Sequence, residues 1–155
     1  MKIEFREATM EDANLYYQWA NDEAVRKNSY AQEVISYEDH LAWFKRKIAS
    51  PDCYFYLFLK EKNPAGQVRI EKKENETVVG ISIDSKYRSK GLGSVMLELA
   101  CADYFAKFPK ETIYAYIKES NVPSSAIFKK ANFTNEQAVM VSGVKSIKLH
   151  KTQQQ

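Results

Sequence analysis

Arg88, Gly91 and Gly93 stand at the spacing Arg-x-x-Gly-x-Gly, with Ser89, Lys90, Leu92 and Ser94 between and after them. That grouping suits the binding of an anion. The first turn of a helix leaves backbone N–H groups without intrahelical partners, and the macrodipole places partial positive charge at the same end. Glycines there take positive φ or let a ligand approach the backbone, while Arg88 and Lys90 are expected to add mobile positive charge. A phosphate or pyrophosphate is the natural guest. The stretch is not a P-loop, because no Gly-Lys-Ser/Thr follows the required gap, and it lacks the three glycines of the dinucleotide fingerprint.

The flanking elements must present this turn. Val79, Ile81 and Ile83 alternate with Val78, Gly80 and Ser82, which predicts a strand running up to Asp84. Leu92, Val95, Met96, Leu99 and Ala100 recur at helical spacing, so the glycines fall where a strand turns into a helix. Further along, residues 112–118 predict a strand with Ile113, Ala115 and Ile117 on one face. Asn121 is then suited to cap a helix whose first turn accepts Pro123.

The remaining chain fills in one domain over residues 1–150, with 151–155 expected to be a frayed tail. Residues 2–7 alternate as a first strand. Thr9 is a plausible helix cap ahead of Leu15, Tyr16 and Trp19, and residues 23–27 suggest a short helix. Ser36 with Asp39 opens another, bearing Leu41, Phe44 and Ile48 and stopping before Pro51. The apolar run 54–59 predicts a strand covered on both faces. The sequence Asn63-Pro64-Ala65-Gly66 signals a turn, 67–72 a second strand and 74–76 a second turn, which together describe an antiparallel meander. A closing hairpin is expected around Gly143, with Val144, Ile147 and Leu149 alternating after it.

The composition narrows the function classes. The 155 residues are 45% hydrophobic and 28% charged with a net charge of +3, too mild a balance to argue for nucleic acid. Cys53 and Cys101 lie in apolar runs and read as reduced core thiols. No Cys or His cluster has metal-ligand spacing. With no apolar run of membrane-spanning length and no signal-like start, the expectation is a soluble, cytoplasmic protein, monomeric or homodimeric.

The motif at 88–93 resembles the pyrophosphate-binding motif of the GNAT superfamily of N-acetyltransferases, which bind acetyl-CoA. The order of elements is similar to the GNAT fold over the whole chain: an α/β single domain with a mixed, mostly antiparallel sheet flanked by helices and a splayed strand pair at the cofactor site. Asn121, Ser124, Phe128, Lys130, Asn132 and Phe133 also match a second motif of that family. The resemblance implies that Asn121 and Ser124 lie along the pantetheine arm, that the residue at 128 faces the sulfur, and that the backbone of Ile81 and Ile83 pairs with the pantetheine amides. It implies further that a backbone N–H near Ile83 stabilises the oxyanion. Two residues depart from the pattern. Asn132 replaces a glycine, which is benign because asparagine tolerates left-handed backbone. Phe128 replaces the usual tyrosine, so the family's common general acid is missing. Glu71 and Tyr116 are candidate bases, directly or through water, although a surface carboxylate beside Lys72 and Lys73 and an aromatic on a sheet face are the readings their positions favour.

The stretches 19–30 and 36–44 look like those of nucleotide-sugar acetyltransferases in the pseudaminic and legionaminic acid pathways, which acetylate the 4-amine of a UDP-linked aminodideoxy sugar. By that resemblance Arg26 would pair with a substrate diphosphate, Asn21, Ser29 and His40 would bond sugar or base, and Tyr30 would stack. Asn21 also reads as part of a helix break and His40 as a structural histidine. The alternatives are an acetyltransferase for a protein N-terminus or a polyamine, and a non-catalytic acyl-CoA-binding module.

Overall fold

In the computed structural model, which describes residues 2–153, a single seven-stranded sheet runs in the order β1-β2-β3-β4-β5-β7-β6. The strands are β1 (Ile3–Glu7), β2 (Cys53–Lys60), β3 (Asn63–Lys73), β4 (Glu76–Ile83), β5 (Thr112–Lys118), β6 (Thr134–Val141) and β7 (Val144–Thr152). The helices are α1 (Ala13–Ala20), α2 (Glu23–Asn28), α3 (Tyr37–Ala49), α4 (Leu92–Lys107) and α5 (Val122–Lys130). Every neighbouring pair is antiparallel except β4 with β5. Alternation along the strands separates two cores. Val68, Ile70, Val79, Ile113, Ala115 and Ile117 pack with α4 and α5 on one face. Cys53, Phe55 and Leu57 pack with Tyr16, Trp19 and Phe44 of α1 and α3 on the other.

The expected caps form. Thr9 accepts from Glu11 while Asp12 reaches back to the Thr9 N–H, a complete capping box that opens the turn before α1. Ser36 accepts from Asp39 at α3, and Asn121 from Ser124 at α5. Cys53 and Cys101 are buried and reduced, with burial pushing their thiols up to about 11 and about 12.

Two expectations are corrected. The turn at 63–66 is strand. The β2–β3 reversal lies at Glu61 and Lys62, both at positive φ (49° and 71°), as a two-residue hairpin of type I′ demands. Register slips between Phe58 and Leu59, which takes up the extra residue Ala65; its carbonyl accepts from Asp84 N at 2.8 Å. Pro64 is tolerated because it lies beyond the end of β4, whose last partner on β3 is Gly66. Gly66 serves close approach: a Cβ there would lie 2.6 Å from the Ser82 carbonyl oxygen. Residues 151 and 152, expected to be frayed, are strand. Lys151 and Thr152 extend β7 opposite Ile113 and Thr112, and Lys151 Nζ donates to the Ala131 carbonyl at 2.7 Å. Gln154 and Gln155 lie outside the described residues.

Candidate active site

β4 and β5 pair only at Thr77↔Ile113 and Val78↔Tyr114, then diverge. β4 continues along β3 to Ile83, and β5 along β7 to Lys118, so each is held by its outer neighbour alone. The inner backbone groups beyond Val78 therefore lack strand partners. A polar group left buried and unpaired costs about 1–3 kcal/mol, so this edge must be met by water or by a ligand that mimics a strand. A cavity of about 680 Å³ opens at the divergence. It is lined by β4 from Val79 to Ile83, by the loop into α4, by Tyr116 to Lys118 of β5, and by parts of α5 and α2.

The loop arrives at α4 with Ser89 (φ 61°) and Gly91 (φ 75°) in left-handed backbone. Gly91 is the cap residue, and no side chain caps the helix, so its leading N–H groups open toward the cavity wall formed by Gly91, Leu92, Gly93 and Ser94. The two glycines have different reasons. At Gly91 a Cβ would meet nothing within 4 Å, and the requirement is the positive φ. At Gly93 a Cβ would lie 2.9 Å from Ile127 Cγ2 and 3.0 Å from Ile83 Cδ1, so its absence lets α4 seat against both β4 and α5.

Arg88 is already engaged within the protein. Its Nη2 donates to Asp22 at 2.7 Å and its Nε to the Ile83 carbonyl at 3.0 Å, which ties α2 to the end of β4. Asp22 caps α2 with the same oxygen. Against the upward push of burial, Arg88 and the α2 N–H groups hold its carboxyl below the usual range. Asp84 receives the Trp19 indole N–H at 2.9 Å, so α1 and α2 both fasten to this loop. The remaining motif positions behave differently. Ile81, Ile83, Ser89, Asn121, Ser124 and Phe128 line the cavity, whereas Lys90 is exposed and does not. Phe128 is buried, edge-on to Phe133 at 5.1 Å, and Asn132 adopts φ 71°.

Of the residues expected to touch an acceptor, only Ser29 lines the cavity, and its Oγ already donates to the Val25 carbonyl at 2.6 Å. Arg26 donates to the carbonyls of Ala20 (2.6 Å), Ala31 (2.8 Å) and Glu33 (3.2 Å) and to Ser29 Oγ. Asn21 donates to the Ile35 carbonyl and accepts its N–H. Both residues lace the α2–α3 connection rather than waiting for a diphosphate or sugar. Tyr30 engages Ser146 through its hydroxyl at 2.7 Å, and its ring lies 5.7 Å from Lys118 Nζ. His40 is buried among Tyr17, Trp43 and Phe44, where burial and then Arg26 push its imidazole below its usual value; it is a core histidine.

The candidate bases fare no better. Glu71 is buried on the α3 side of the sheet, paired with Lys47 and facing Arg69 at 3.7 Å, away from the cavity. Tyr116 does line it, but donates its hydroxyl to Glu76. Burial, then that bond, push the phenol above its ordinary value, so Tyr116 stands there as a hydroxyl and not as a base. Lys148 at 2.6 Å, with Tyr116, holds Glu76 well ionised.

Lys118 was not foreseen. It ends β5, is 7% exposed, lines the cavity, and donates to the Lys27 carbonyl at 3.2 Å. Gly80 also lines the cavity with open space where a Cβ would stand. Among the described residues, neither a candidate metal cluster nor a carboxylate in the cavity wall is present, and no helix is long and apolar enough to cross a membrane.

The sequence matches the profile of the acetyltransferase (GNAT) domain over residues 2–134. It is 34% identical over 56 residues to an N-alpha-acetyltransferase of Saccharolobus solfataricus, a match spanning 36% of this chain and 34% of that protein. The structure is similar to a crystal structure of the aminoglycoside acetyltransferase AAC(6')-Ib in complex with coenzyme A, with a TM-score of 0.83 and 16% identity over 97% of this chain and 95% of that one. It is also similar to the spermidine N-acetyltransferase of Vibrio cholerae in complex with CoA and spermine, with a TM-score of 0.82 and 14% identity over 96% and 94% of the two chains. These likenesses establish the fold.

Proposed function

The chain belongs to the GNAT family of acetyltransferases, and from that premise we propose that it acetylates a primary amine from acetyl-CoA, the acceptor being the 4-amine of a UDP-linked aminodideoxy sugar. The observation that carries the acetyl-CoA reading is the joining, in one cavity, of an uncapped helix N-terminus and a strand edge without partners. A long ligand with an anionic end and an amide-bearing arm fits both features.

In this reading the N–H groups at the start of α4, with Ser89 beside them, hold the diphosphate. Ile81 and Ile83 offer backbone groups to the arm, and Asn121, Ser124 and Phe128 line its path. Acetyl-CoA, when bound, supplies the acetyl carbon to which the acceptor nitrogen bonds and the thiolate that leaves. The chain's own part is orientation and charge stabilisation. Arg88 occupies the Ile83 carbonyl and fixes that end of β4. The Tyr116 hydroxyl, locked by Glu76, is a fixed polar group in the cavity wall. No side chain there is set up as a strong base, so the acceptor amine must arrive neutral or lose its proton to water.

A polyamine acceptor fits poorly, because no carboxylate of the described residues lines the cavity. The N-alpha-acetyltransferase relative favours a second reading, a peptide or protein N-terminus as acceptor. A screen of amines monitored by release of free CoA tests these readings together. Turnover of UDP-linked aminosugar ahead of peptides and polyamines is expected. Turnover of peptides alone would transfer the conclusion to the second reading, and CoA binding without turnover of any amine would leave a non-catalytic module.

Phe128→Tyr is expected to keep CoA affinity within a few-fold, since the ring already lines the cavity. It should also speed acetyl transfer near neutral pH. The added hydroxyl can protonate a departing thiolate, so its benefit is largest below the thiol pKa of about 8.5 and fades above it; general acid catalysis limits the gain to about a hundredfold or somewhat more. Pre-steady-state transfer rates across pH check this. Loss of CoA binding would show that residue 128 does not face the sulfur.

A further inference from the structure

We infer that Lys118 is the receptor for an anionic group, a phosphate, carried by the amine acceptor; the inference rests on the amine-acetylating reading above and names what that acceptor must contain. β5 places Ile113, Ala115 and Ile117 toward α4 and α5. Alternation therefore turns Tyr114, Tyr116 and Lys118 to the opposite face, the side covered by α2. Lys118 meets α2 there: its Nζ bonds the Lys27 carbonyl at 3.2 Å and lies 5.7 Å from the centre of the Tyr30 ring.

An ammonium carries three N–H donors, and that carbonyl accounts for one. No carboxylate of the described residues pairs with it, although Lys47, Lys148 and Arg88 each have one. A cation taken out of water without a counter-charge is costly, and the cost is recovered when an anion enters. The anion has a defined route, because Lys118 lines the same cavity as the α4 N-terminus, with Asn28 at the end of α2 and Ser29 just after it also in its wall. Lys118 does not belong to the α4 cradle, which lies across the sheet. Together with the cradle at α4, this makes Lys118 a second anion site of the same cavity, on the face of β5 turned away from α4. A cosubstrate diphosphate accounts for the first, and the second is left for the acceptor. Arg26, tied up in the α2–α3 connection, leaves that role open.

The test compares wild type, Lys118→Met and Lys118→Arg in kcat/KM for a UDP-linked 4-aminosugar and for the methyl glycoside of the same aminosugar, with CoA affinity by calorimetry as the control for an intact fold. Wild type should favour the charged acceptor by about tenfold to a hundredfold, the worth of one bond to a charged group. Lys118→Met should lose that preference through KM and keep its CoA affinity, and Lys118→Arg should retain most of it. Retained preference in Lys118→Met would overturn the inference. So would an equal fall of kcat with both acceptors, which would place the lysine at the reacting carbonyl. Should wild type turn over neither sugar, the nucleotide-sugar reading fails separately, and UDP binding to CoA-saturated protein decides the lysine: weaker binding to Lys118→Met supports it, equal binding overturns it. Lys118-dependent preference for a peptide with an acidic side chain beside its amine would overturn the assignment to phosphate.

Discussion

Gly93→Val is expected to weaken CoA binding roughly tenfold to a hundredfold while the sheet still folds, and Gly93→Asn to do nearly the same. At Gly93 a Cβ would stand 2.9 Å from Ile127 Cγ2, closer than Cβ atoms approach, and 3.0 Å from both Ile127 Cδ1 and Ile83 Cδ1, tighter than ordinary contact. Valine adds two further methyls to that contact. Overpacking of this kind costs about 1–3 kcal/mol and is relieved by turning the Ile127 and Ile83 side chains together with a shift of the first turn of α4 away from β4 and α5. That turn carries the N–H groups assigned to the diphosphate, so a small displacement misaims several donors together. Gly91 provides the contrast. Its substituent would point into open space, and only its φ of 75° resists a side chain. Gly91→Asn, which tolerates left-handed backbone, should therefore keep most of the affinity, whereas Gly91→Val should lose it through strain of about 1–3 kcal/mol. Calorimetric titration with CoA, alongside circular dichroism of each variant, separates the two glycines. Unchanged affinity in a folded Gly93→Val protein would remove the α4 terminus from the binding site.

What sequence reasoning recovered was local. A cap such as Thr9, Ser36 or Asn121 is recognised from its own side chain and the residues just after it, and the structure uses all three. Strand alternation found the buried face of β5, and the Arg-x-x-Gly-x-Gly spacing found the α4 terminus. What it missed depends on distant partners. Pro64 and Gly66 carry strong turn chemistry, yet the β2–β3 reversal falls on Glu61 and Lys62, and a register slip between Phe58 and Leu59 lets 63–66 continue as strand. Glu71 looked like a surface carboxylate or a base, and neither view anticipates Lys47 of α3 lying across it. Lys118 stands at a strand position that alternation assigns to solvent, yet it is buried, with the Lys27 carbonyl of α2 and the Tyr30 ring lying over that face. Polar residues in the amino-terminal half were assigned to a ligand when the connection between α2 and α3 had backbone groups of its own to satisfy. Arg26 and Asn21 do that.

For that reason Arg26→Ala is expected to act on stability before it acts on any substrate, lowering the melting temperature by roughly 5–15 °C. The guanidinium bonds three main-chain carbonyls and Ser29, with Nε to Ala20 at 2.6 Å and Nη1 to Ala31 at 2.8 Å as its shortest contacts. A bond to a charged donor contributes about 1.5–3 kcal/mol net of exchange with water, but these bonds share one guanidinium and the half-buried carbonyls regain water once it is removed, so their worth does not sum. A net loss of about 2–4 kcal/mol converts to the stated shift at about 2–4 °C per kcal/mol for a chain of this size. Arg26→Lys should rescue little, because one ammonium cannot span carbonyls on both sides of the turn as a planar fork does. Loosening this turn also releases the Lys27 carbonyl that Lys118 holds, so KM for an anionic acceptor should change only as a secondary effect. Thermal unfolding of wild type, Arg26→Ala and Arg26→Lys, run beside acceptor kinetics at a temperature where all three remain folded, distinguishes the roles. An unchanged melting temperature combined with a raised KM would make Arg26 the acceptor's own anion partner and return to it the role assigned here to Lys118.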